Sequence, residues 1–433
     1  MNILWITNIP LPDASSLMGE KPIPFGGWLV NAASELIKEQ NIVLNVAFPK
    51  NDIDKVEVIK GENINYYPFP SVNYSDKASM KENANLINII DESKPDIVHI
   101  FGTEFPHTLA MVNVCNLKGI TTIISVQGLV SVIAKHYITG LPIQLLNRFT
   151  FRDFLKQDNI KQQQRKFEKR GKYEIEALQK VSHIIGRTTW DRACTSFINE
   201  DAHYHHCNET LRDVFYRHRW DINQCEKYSI FLSQGSYPIK GLHFVIESLP
   251  LLLKRYPNVK LYVGGIDITK YSTLKEKLKI SSYGKYIKDL INIHNLQNHI
   301  IFTGILNEKQ MCELYLKSHV FVCPSSIENS PNSLGEAMML GVPSVASDVG
   351  GIADLLKHKE EGFLYQSDAP YMLAHYICEI FGDDQLALEF SENARKKALK
   401  RHDRKLNNER LKEIYHTLME QQSALPCKVM SIQ

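Results

Sequence analysis

Short apolar runs bounded by turn residues recur along the chain, and stretches with helical periodicity lie between them. Each run is continuous rather than alternating, which is the pattern of parallel strands covered on both faces. The runs predict a first set of strands at Ile3–Thr7, Ile42–Ala47, Ile97–Phe101, Thr121–Val126 and His183–Gly186. They predict a second set at Ser229–Ser233, Lys260–Gly264, Ile300–Thr303, Val320–Cys323 and Ser344–Ala346. Helices are predicted at Trp28–Glu39, Ile175–Lys180, Leu242–Arg255 and Lys309–Lys317. This alternation predicts an α/β protein built from two doubly wound halves.

The chain has 433 residues, which is too long for one ordinary core and favours two domains. A polar stretch at Trp220–Lys227 precedes the second set of strands, so we place the join between the domains there. The stretch from Asp384 to Gln421 predicts one or two long helices. We therefore expect an N-terminal domain at 1–222, a C-terminal domain at 223–400, and a last helix at 401–433 that packs back on the N-terminal domain.

Composition and charge narrow the class of protein. Hydrophobic residues make up 44% and charged residues 23%, as in soluble globular proteins, and a net charge of +2 gives no argument for nucleic acid as a partner. The eight cysteines contain no Cys-x-x-Cys pair, which favours reduced thiols in the cytosol. The first residues predict a strand rather than a signal peptide, and no apolar run is long enough to span a membrane. The expected location is therefore cytoplasmic.

The segment Ser326–Met338 carries two carboxylates, Glu328 and Glu336. The first falls in a loop after the predicted strand Val320–Cys323, and the second is predicted in the first turn of a helix that ends at Gly341. Free backbone amides at a helix N-terminus suit a phosphate. Carboxylates beside an anion are unfavourable unless they bind something else, and sugar hydroxyls are the natural partners. The alternative is a solvated loop glutamate and a first-turn acid that only complements the helix dipole.

Two further segments fit the same kind of site, because ligands of open α/β sheets bind at the carboxyl ends of strands. The paired glycines Gly26 and Gly27 precede a predicted helix and allow close approach of a phosphate, although an ordinary flexible turn is the alternative. Lys240 is predicted at a helix start, where a cation opposes the dipole unless it neutralises a bound phosphate. The alternative for Lys240 is a plain surface lysine.

These residues resemble a known family. The segment Ser326–Met338 and the stretch Leu340–Gly351 that follows are similar to the donor-binding signature of the retaining glycosyltransferases of family four. The resemblance extends to Lys240-Gly241, Phe302-Thr303-Gly304 and Pro95-Asp96-Ile97-Val98-His99. It implies the GT-B fold, in which two Rossmann-like domains face a cleft. It also implies transfer of a sugar from a nucleotide-sugar donor to a hydroxyl acceptor, without a metal ion or other cofactor.

The resemblance implies a role for each matched position. Glu336 would bind the ribose hydroxyls, Glu328 would hold the transferred sugar and stabilise its developing positive charge, and Lys240 would neutralise the leaving diphosphate. Gln127 would lie near the sugar and the acceptor, so the implied catalytic set is Glu328, Lys240 and Gln127. The implied donor-binding set is Glu336, Asn329, Ser330, Asn332, Ser333, Leu334, Gly26, Gly27, Gln234, Gly235, Arg187, Gly304 and Leu306.

Two positions depart from the family pattern. An arginine often precedes the lysine by five or six residues as a second diphosphate ligand, but Gly235 and Gln234 stand there, so Arg187 is our candidate for a replacement cation. Many members also carry a histidine at the position of Gln127. The glutamine side chain can form hydrogen bonds but cannot shuttle a proton. Either the departing phosphate takes the acceptor proton, or His136 or His107 serves instead.

A metal site is not expected. The tripeptide Asp52-Ile53-Asp54 falls in a surface-like stretch. His203, His205, His206 and Cys207 are too close together in sequence to point at one ion.

The segment 141–172 mixes aromatic and basic residues, which can dock on anionic lipid at the inner membrane face. The alternative is a solvated helix on the acceptor side. By analogy with the family, we expect the enzyme to act in the assembly of a cell-surface polysaccharide or glycolipid, with a glycan, lipid-linked in one version, as acceptor. The alternatives are a non-catalytic partner that binds nucleotide-sugar or glycan, and a nucleotide-sugar epimerase or a phosphorylase on the same fold.

Overall fold

The computed structural model describes residues 1–22, 26–72, 80–271, 273, 276 and 278–424. Residues 425–433 of the predicted C-terminal segment, with Cys427, lie outside this description. In the described part of the chain the strands form an 8-stranded and a 6-stranded sheet.

The first sheet has the strand order β3-β4-β2-β1-β5-β6-β7-β8 and is parallel except for the β3–β4 pair. Its strands are β1 Asn2–Ile6, β2 Val43–Lys50, β3 Ile59–Lys60, β4 Ile64–Pro70, β5 Ile97–Phe101, β6 Thr121–Ser125, β7 His183–Gly186 and β8 His203–His206. The second sheet has the order β11-β10-β9-β12-β13-β14 and is parallel throughout. Its strands are β9 Glu226–Leu232, β10 Lys260–Val263, β11 Ile300–Phe302, β12 Ser318–Cys323, β13 Ser344–Ser347 and β14 Phe363–Tyr365.

Helices cover both sheets. Those before the second sheet are α1 Pro12–Leu17, α2 Gly27–Leu36, α3 Met80–Ser93, α4 Pro106–Lys118, α5 Val130–His136, α6 Ile143–Leu146, α7 Phe151–Lys156, α8 Ile160–Gln179, α9 Thr189–Ile198 and α10 Asp213–Arg217. The later ones are α11 Leu242–Leu253, α12 Ser282–Ile293, α13 Glu308–Lys317, α14 Asn332–Leu340, α15 Ile352–Leu355, α16 Pro370–Gly382, α17 Asp384–Arg401 and α18 Arg404–Ala424.

The strand and helix predictions agree with this architecture to within a few residues at most ends. Every predicted strand is present, because all of these runs except the edge strand β11 are buried on both faces of a parallel sheet. The helix predicted at Ile175–Lys180 is the last part of the longer α8. Four strands were missed: β3, which has only two residues; β4, which contains prolines; β8, an edge strand of histidine and tyrosine; and the short β14.

The last helix crosses back to the first sheet, as the long C-terminal stretch predicted. Helix α18 packs on α2 and β5, and its Leu411, Ile414 and Leu418 join the core that contains Ile3. At the centre of this contact, the hydroxyl of Tyr415 accepts a hydrogen bond from Trp5 Nε1 at 2.9 Å and lies 2.6 Å from Nδ1 of His99. The position at which the chain divides into domains stays a prediction.

Contacts between the two halves fix their relative position. Thr188 Oγ1 donates to Asn329 Oδ1 at 2.7 Å, and Ser326 Oγ donates to the carbonyl oxygen of His136 at 3.2 Å. Further along, the carboxylate of Asp153, which is fully buried, accepts a hydrogen bond from the backbone amide of Ser282 at 2.9 Å. These contacts hold the carboxyl ends of the second sheet opposite residues of the first half, and a cleft lies between them.

Candidate active site

A cavity of about 490 Å³ opens between the two halves of the chain. The second half lines it with the loops that follow β9, β10, β11 and β12, which are the carboxyl ends of those strands. The first half contributes the N-terminus of α2 and the segment after β8. This is the position at which open α/β sheets bind ligands, so the cavity is the candidate active site.

Glu336 lies in the wall of this cavity and is nearly inaccessible, with 6% of its surface exposed. Helix α14 begins at Asn332, so Glu336 falls in the second turn rather than in the predicted first turn. Its Oε1 accepts hydrogen bonds from Nη2 and Nε of Arg212 at 2.7 and 3.1 Å, and its Oε2 lies 3.5 Å from the hydroxyl of Tyr315. Burial raises the pKa of Glu336, and the charge of Arg212 opposes this shift. The alternative of an exposed acid that complements the helix dipole is therefore wrong.

Glu328 and Lys240 form the second charged pair of the cavity. Lys240 Nζ lies 2.5 Å from Glu328 Oε1, and Ser325 Oγ donates to the same oxygen at 2.8 Å. The two side chains are 27% and 13% exposed, so the alternatives of a plain surface lysine and a solvated loop glutamate do not hold. Burial alone would lower the pKa of Lys240, but the charge of Glu328 and their hydrogen bond outweigh it, and the pKa is raised. Lys240 is cationic at neutral pH in this setting.

Two helix N-termini face the cavity. Asn332 and Ser333 of α14 line it, while the amides of Leu334 and Gly335 already donate to the carbonyl oxygen of Pro331. In the first half, α2 begins at Gly27 behind Gly26, which has φ of 75° in the left-handed region. A side chain at either glycine would collide with a neighbour: a Cβ at Gly26 would lie 2.5 Å from Cδ1 of Ile9, and one at Gly27 would lie 2.6 Å from Cγ of Arg212. The two helix ends therefore present amides and positive dipole ends to the same space.

The structure brings most of the predicted site residues into one cavity. Its lining includes Glu328, Lys240, Glu336, Asn332, Ser333, Gly26, Gly27, Gln234 and Leu306. The predicted residues that do not line it are Gln127, Asn329, Ser330, Leu334, Gly235, Gly304 and Arg187. Of these, Asn329 lies between the halves and bonds to Thr188, and Gly304 pairs with Gly265 of the cavity wall.

Arg187, the candidate for the missing cation, lies apart from this cavity. It is 4% exposed, and its Nη1 lies 2.5 Å from Oε2 of Glu209. The other oxygen of Glu209 accepts from Nε2 of Gln127 at 2.7 Å. Arg187 and Glu209 line a separate small cavity of about 40 Å³. The side chain of Gln127 is thus fixed by Glu209, and Arg187 is already neutralised.

A second cation, Arg212, lines the main cavity in addition to Lys240. Sequence reasoning missed it. It follows β8 by several residues and stands in no recognisable motif. Its guanidinium binds Glu336, 124 residues further along the chain, and lies 4.8 Å from the ring centroid of Phe215. No spacing pattern connects two residues so far apart, so the pair is visible only in the fold.

The two histidines considered as proton acceptors have different settings. Burial lowers the pKa of His107 to about 3, and His107 does not line the cavity. Burial also lowers the pKa of His136, whose backbone carbonyl contacts Ser326. Among the described residues no group of three or more His, Cys, Asp or Glu side chains is arranged to hold a metal ion.

Comparison with known proteins identifies the class. Residues 215–397 match the family model described as glycosyl transferases group 1, so the chain carries a domain of this family. An uncharacterized glycosyltransferase of Methanocaldococcus jannaschii is 26% identical over 183 residues, which are 42% of this chain and 43% of that protein. The capsular polysaccharide biosynthesis glycosyltransferase CapM of Staphylococcus aureus is 25% identical over 189 residues, or 42% of this chain and 44% of CapM. The matches thus span less than half the length of these relatives.

Solved structures extend the likeness to nearly the whole chain. Sucrose-phosphate synthase of Thermosynechococcus elongatus superposes with a TM-score of 0.67 at 16% identity, covering 97% of this chain and 99% of that one. HepE of Anabaena in complex with UDP-glucose gives a TM-score of 0.66 at 16% identity, with 96% and 99% covered. The overall fold is therefore GT-B, with two Rossmann-like halves around a cleft.

Proposed function

We propose that this protein is a retaining, metal-independent glycosyltransferase that moves a sugar from a nucleotide-sugar to a hydroxyl acceptor. The proposal depends on one observation: two ion pairs, Lys240–Glu328 and Arg212–Glu336, lie in a cleft beside two helix N-termini. Cations and helix amides suit a diphosphate, and buried carboxylates suit the hydroxyls of ribose and sugar. The family domain at 215–397 and the GT-B fold agree with this chemistry.

Different residues of the cavity would bind different parts of the donor. Glu336 would accept hydrogen bonds from the ribose hydroxyls, and the amides of Asn332 and Ser333 would bind the diphosphate. Ile305 and Leu306 supply an apolar wall for the base. Glu328 would hold the hydroxyls of the transferred sugar. Catalysis would then rest on positioning and on electrostatic stabilisation of the leaving group.

Retention follows from attack on the face that the leaving group occupies. The bond between the anomeric carbon and the phosphate oxygen breaks, and the acceptor oxygen forms a bond on the same face. The departing phosphate oxygen takes the acceptor proton, and Lys240 balances its negative charge. Gln127 would take no part in proton transfer, because an amide cannot shuttle a proton. It would orient the sugar or the acceptor through a hydrogen bond.

The acceptor is proposed from the relatives. CapM is named for capsular polysaccharide biosynthesis, and HepE is solved with UDP-glucose. We place this protein likewise in the assembly of a cell-surface polysaccharide or glycolipid, with a glycan as acceptor.

A surface patch supports action at a membrane face from the cytoplasmic side. Five apolar side chains on and around α6 and α7 are between 53% and 73% exposed, namely Ile143, Phe149, Phe151, Phe154 and Leu155. Exposed cations follow them at Lys156, Lys161, Arg165, Lys166, Lys169 and Lys172. Aromatic side chains flanked by cations bind the interface of anionic bilayers. None of the described helices is long and apolar enough to cross a membrane.

Vesicle binding tests this patch. The protein should sediment with phosphatidylglycerol vesicles more than with phosphatidylcholine vesicles, and the double variant Phe151→Ser/Phe154→Ser should lose that difference. Phe197→Ser is the matched control, because Phe197 is 93% exposed on α9, away from the patch. Equal sedimentation of all three proteins would favour the alternative of a solvated helix.

Product analysis tests the reaction itself. Purified protein would be incubated with a panel of nucleotide-sugars and candidate glycan acceptors in EDTA, and the anomeric configuration of the product would be read by NMR. The proposal expects a glycoside with the donor's configuration. An inverted product would contradict retention, and an altered sugar still attached to the nucleotide would indicate an epimerase. Donor binding without any product would favour the non-catalytic partner.

A further inference from the structure

Arg212 is not among the donor-binding residues that the resemblance implies, but its position in the cavity suits the binding of a phosphate. It lines the cavity beside Lys240, and its stem lies against Gly27 at the N-terminus of α2. This is the helix end that faces the second half of the chain across the cleft. A cation there stands next to the amides that suit a phosphate.

The charges of the side chains that line the cavity cancel. Among the described residues that line it, the charged side chains are Arg212, Lys240, Glu328 and Glu336. Each cation is bound to one carboxylate, with Arg212 on Glu336 at 2.7 Å and Lys240 on Glu328 at 2.5 Å. A diphosphate that enters this cavity can gain a full cationic partner only by drawing a cation away from its carboxylate.

The Arg212–Glu336 pair can be replaced by contacts with a nucleotide, in which Arg212 binds phosphate and Glu336 binds ribose. Guanidinium binds phosphate oxygens as readily as carboxylate, and its planar fork bridges several of them. The carboxylate that Arg212 releases would be left buried and charged, which is unfavourable unless other donors replace the cation. Ribose hydroxyls are such donors, so one nucleotide can satisfy both halves of the broken pair at once.

We propose that Arg212 is the second diphosphate-binding cation of this enzyme. It would replace the arginine that the family pattern places at Gln234 or Gly235. In this structure it is bound to Glu336, and on donor binding it would move to the diphosphate while the ribose takes its place on Glu336. Arg212 precedes the second sheet, and Glu336 lies on α14 between two strands of that sheet, so donor binding then exchanges a contact between the halves for one through the ligand. This inference rests on the proposed function.

Calorimetric titration separates the diphosphate from the nucleoside. UDP, GDP, ADP and dTDP, each with its nucleoside, would be titrated into the wild type and into Arg212→Gln, Arg212→Lys and Arg217→Gln. Arg217 is the matched control, because it lies on α10 close to Arg212 but has a 74% exposed side chain that pairs with Asp213. Arg212→Gln should weaken binding of the diphosphate that binds best by about ten- to hundredfold, whereas its nucleoside should bind at least as tightly as in the wild type, because no cation then competes with the ribose for Glu336. Arg212→Lys should recover part of the loss, and Arg217→Gln should match the wild type.

A double variant guards against a structural effect. Arg212→Gln leaves the carboxylate of Glu336 buried without its cation, which could itself disturb the site. The double variant Arg212→Gln/Glu336→Gln would therefore be compared with the single variant Glu336→Gln, because neither has a carboxylate at position 336. The loss of diphosphate affinity should persist in this comparison. An equal loss for diphosphate and nucleoside, or no loss for either, would overturn the role of Arg212 and leave the donor site intact. Failure of the wild type to bind any of the nucleotides would overturn the proposed function and this inference together.

Discussion

Lys240 Nζ lies 2.5 Å from Glu328 Oε1, although the two residues belong to loops that follow different strands of the second sheet. Strands β9 and β12 are neighbours in that sheet, so their carboxyl ends bring the lysine and the glutamate together. The pair keeps the lysine charged. Under the proposed function, the lysine would face the leaving diphosphate and the glutamate would face the transferred sugar.

Replacement of Glu328 tests its assignment to the sugar. In Glu328→Gln the side chain keeps its size and loses its charge, so stabilisation of a positively charged transition state should fall. We expect turnover to decrease by about 100-fold or more, as when one electrostatic contact of an active site is removed, with donor affinity nearly unchanged. Steady-state kinetics and titration of the nucleoside diphosphate would measure the two effects. A loss of affinity with unaltered turnover of bound donor would reverse the assignment.

Replacement of Glu336 should act on binding instead. Glu336→Ala removes the acceptor for the ribose hydroxyls, and donor affinity should decrease by about ten- to hundredfold, while turnover of bound donor changes less. Titration with the nucleotide-sugar would give the dissociation constant. Glu389→Ala, an exposed glutamate on α17, is the control and should bind like the wild type. An unchanged dissociation constant in Glu336→Ala would exclude the ribose contact.

A side chain at Gly27 should displace Arg212. A Cβ at this position would lie 2.6 Å from Cγ of Arg212, so Gly27→Ala should displace Arg212 from Glu336. Diphosphate affinity is expected to fall about tenfold with a change in stability of about 1 kcal/mol or less, because the collision is with a side chain that can move. Titration and urea unfolding would measure both quantities. Gly382→Ala at the end of α16 is the control, and a Gly27→Ala variant with wild-type affinity would contradict the close approach of Arg212.

Tyr415 fixes the last helix to the first sheet. In Tyr415→Phe, the buried Trp5 Nε1 loses its acceptor and His99 loses its partner at Nδ1, so the free energy of unfolding should fall by about 1–3 kcal/mol. Urea unfolding would measure this loss. Tyr371→Phe is the control, since Tyr371 is 62% exposed. Equal stability of the two variants would mean that the hydroxyl of Tyr415 contributes nothing to the contact.

Most strands of the fold could be predicted from the sequence, because buried parallel strands are continuous apolar runs. The strand Ile97–Phe101 was predicted to the residue, since both of its faces are covered. The strand Ile64–Pro70 was missed because its prolines argue against a central strand, and it pairs in parallel with β2 on one side and only briefly with β3 on the other. His203–His206 attracted attention as a candidate metal cluster, whereas it forms an edge strand of the sheet.

The site was less accessible to sequence reasoning. Glu328, Glu336 and Lys240 were found because a local loop–helix pattern and a known family signature mark them, and the structure places all three in one cavity. Arg212 was missed because its partner is remote in sequence. Arg187 was chosen for its charge, but its neutralisation by Glu209 depends on the fold. Local patterns thus reveal helix ends and motifs, while ion-pair partners need the structure.

Stability should fall in acid because several histidines are buried. Burial lowers the pKa of His107 from 6.5 to about 3, and it has the same effect on His99 and His243. Between these pH values the unfolded chain binds a proton that the folded protein does not, so the free energy of unfolding decreases as pH falls below 6.5. His107→Leu should reduce the slope by about one proton, or about 1.4 kcal/mol per pH unit. Urea unfolding from pH 7 to pH 4 would measure it.

The control for the acid effect is His375→Leu, because His375 is exposed on α16. This variant should keep the slope of the wild type. A slope that is unchanged in His107→Leu as well would mean that His107 is protonated in the folded protein, in contradiction to its burial.

A thermal-shift screen tests the central claim most directly. Wild type and Glu336→Ala would be heated with UDP, GDP, ADP and dTDP and with their sugars, in EDTA and then in Mg²⁺. A ligand that binds only the folded state raises the melting temperature by mass action. The donor site described above predicts a selective rise with one nucleoside diphosphate and its sugar, independent of Mg²⁺ and lost in Glu336→Ala. No rise with any of them, or an equal rise in Glu336→Ala, would contradict a nucleotide-sugar site in this cleft.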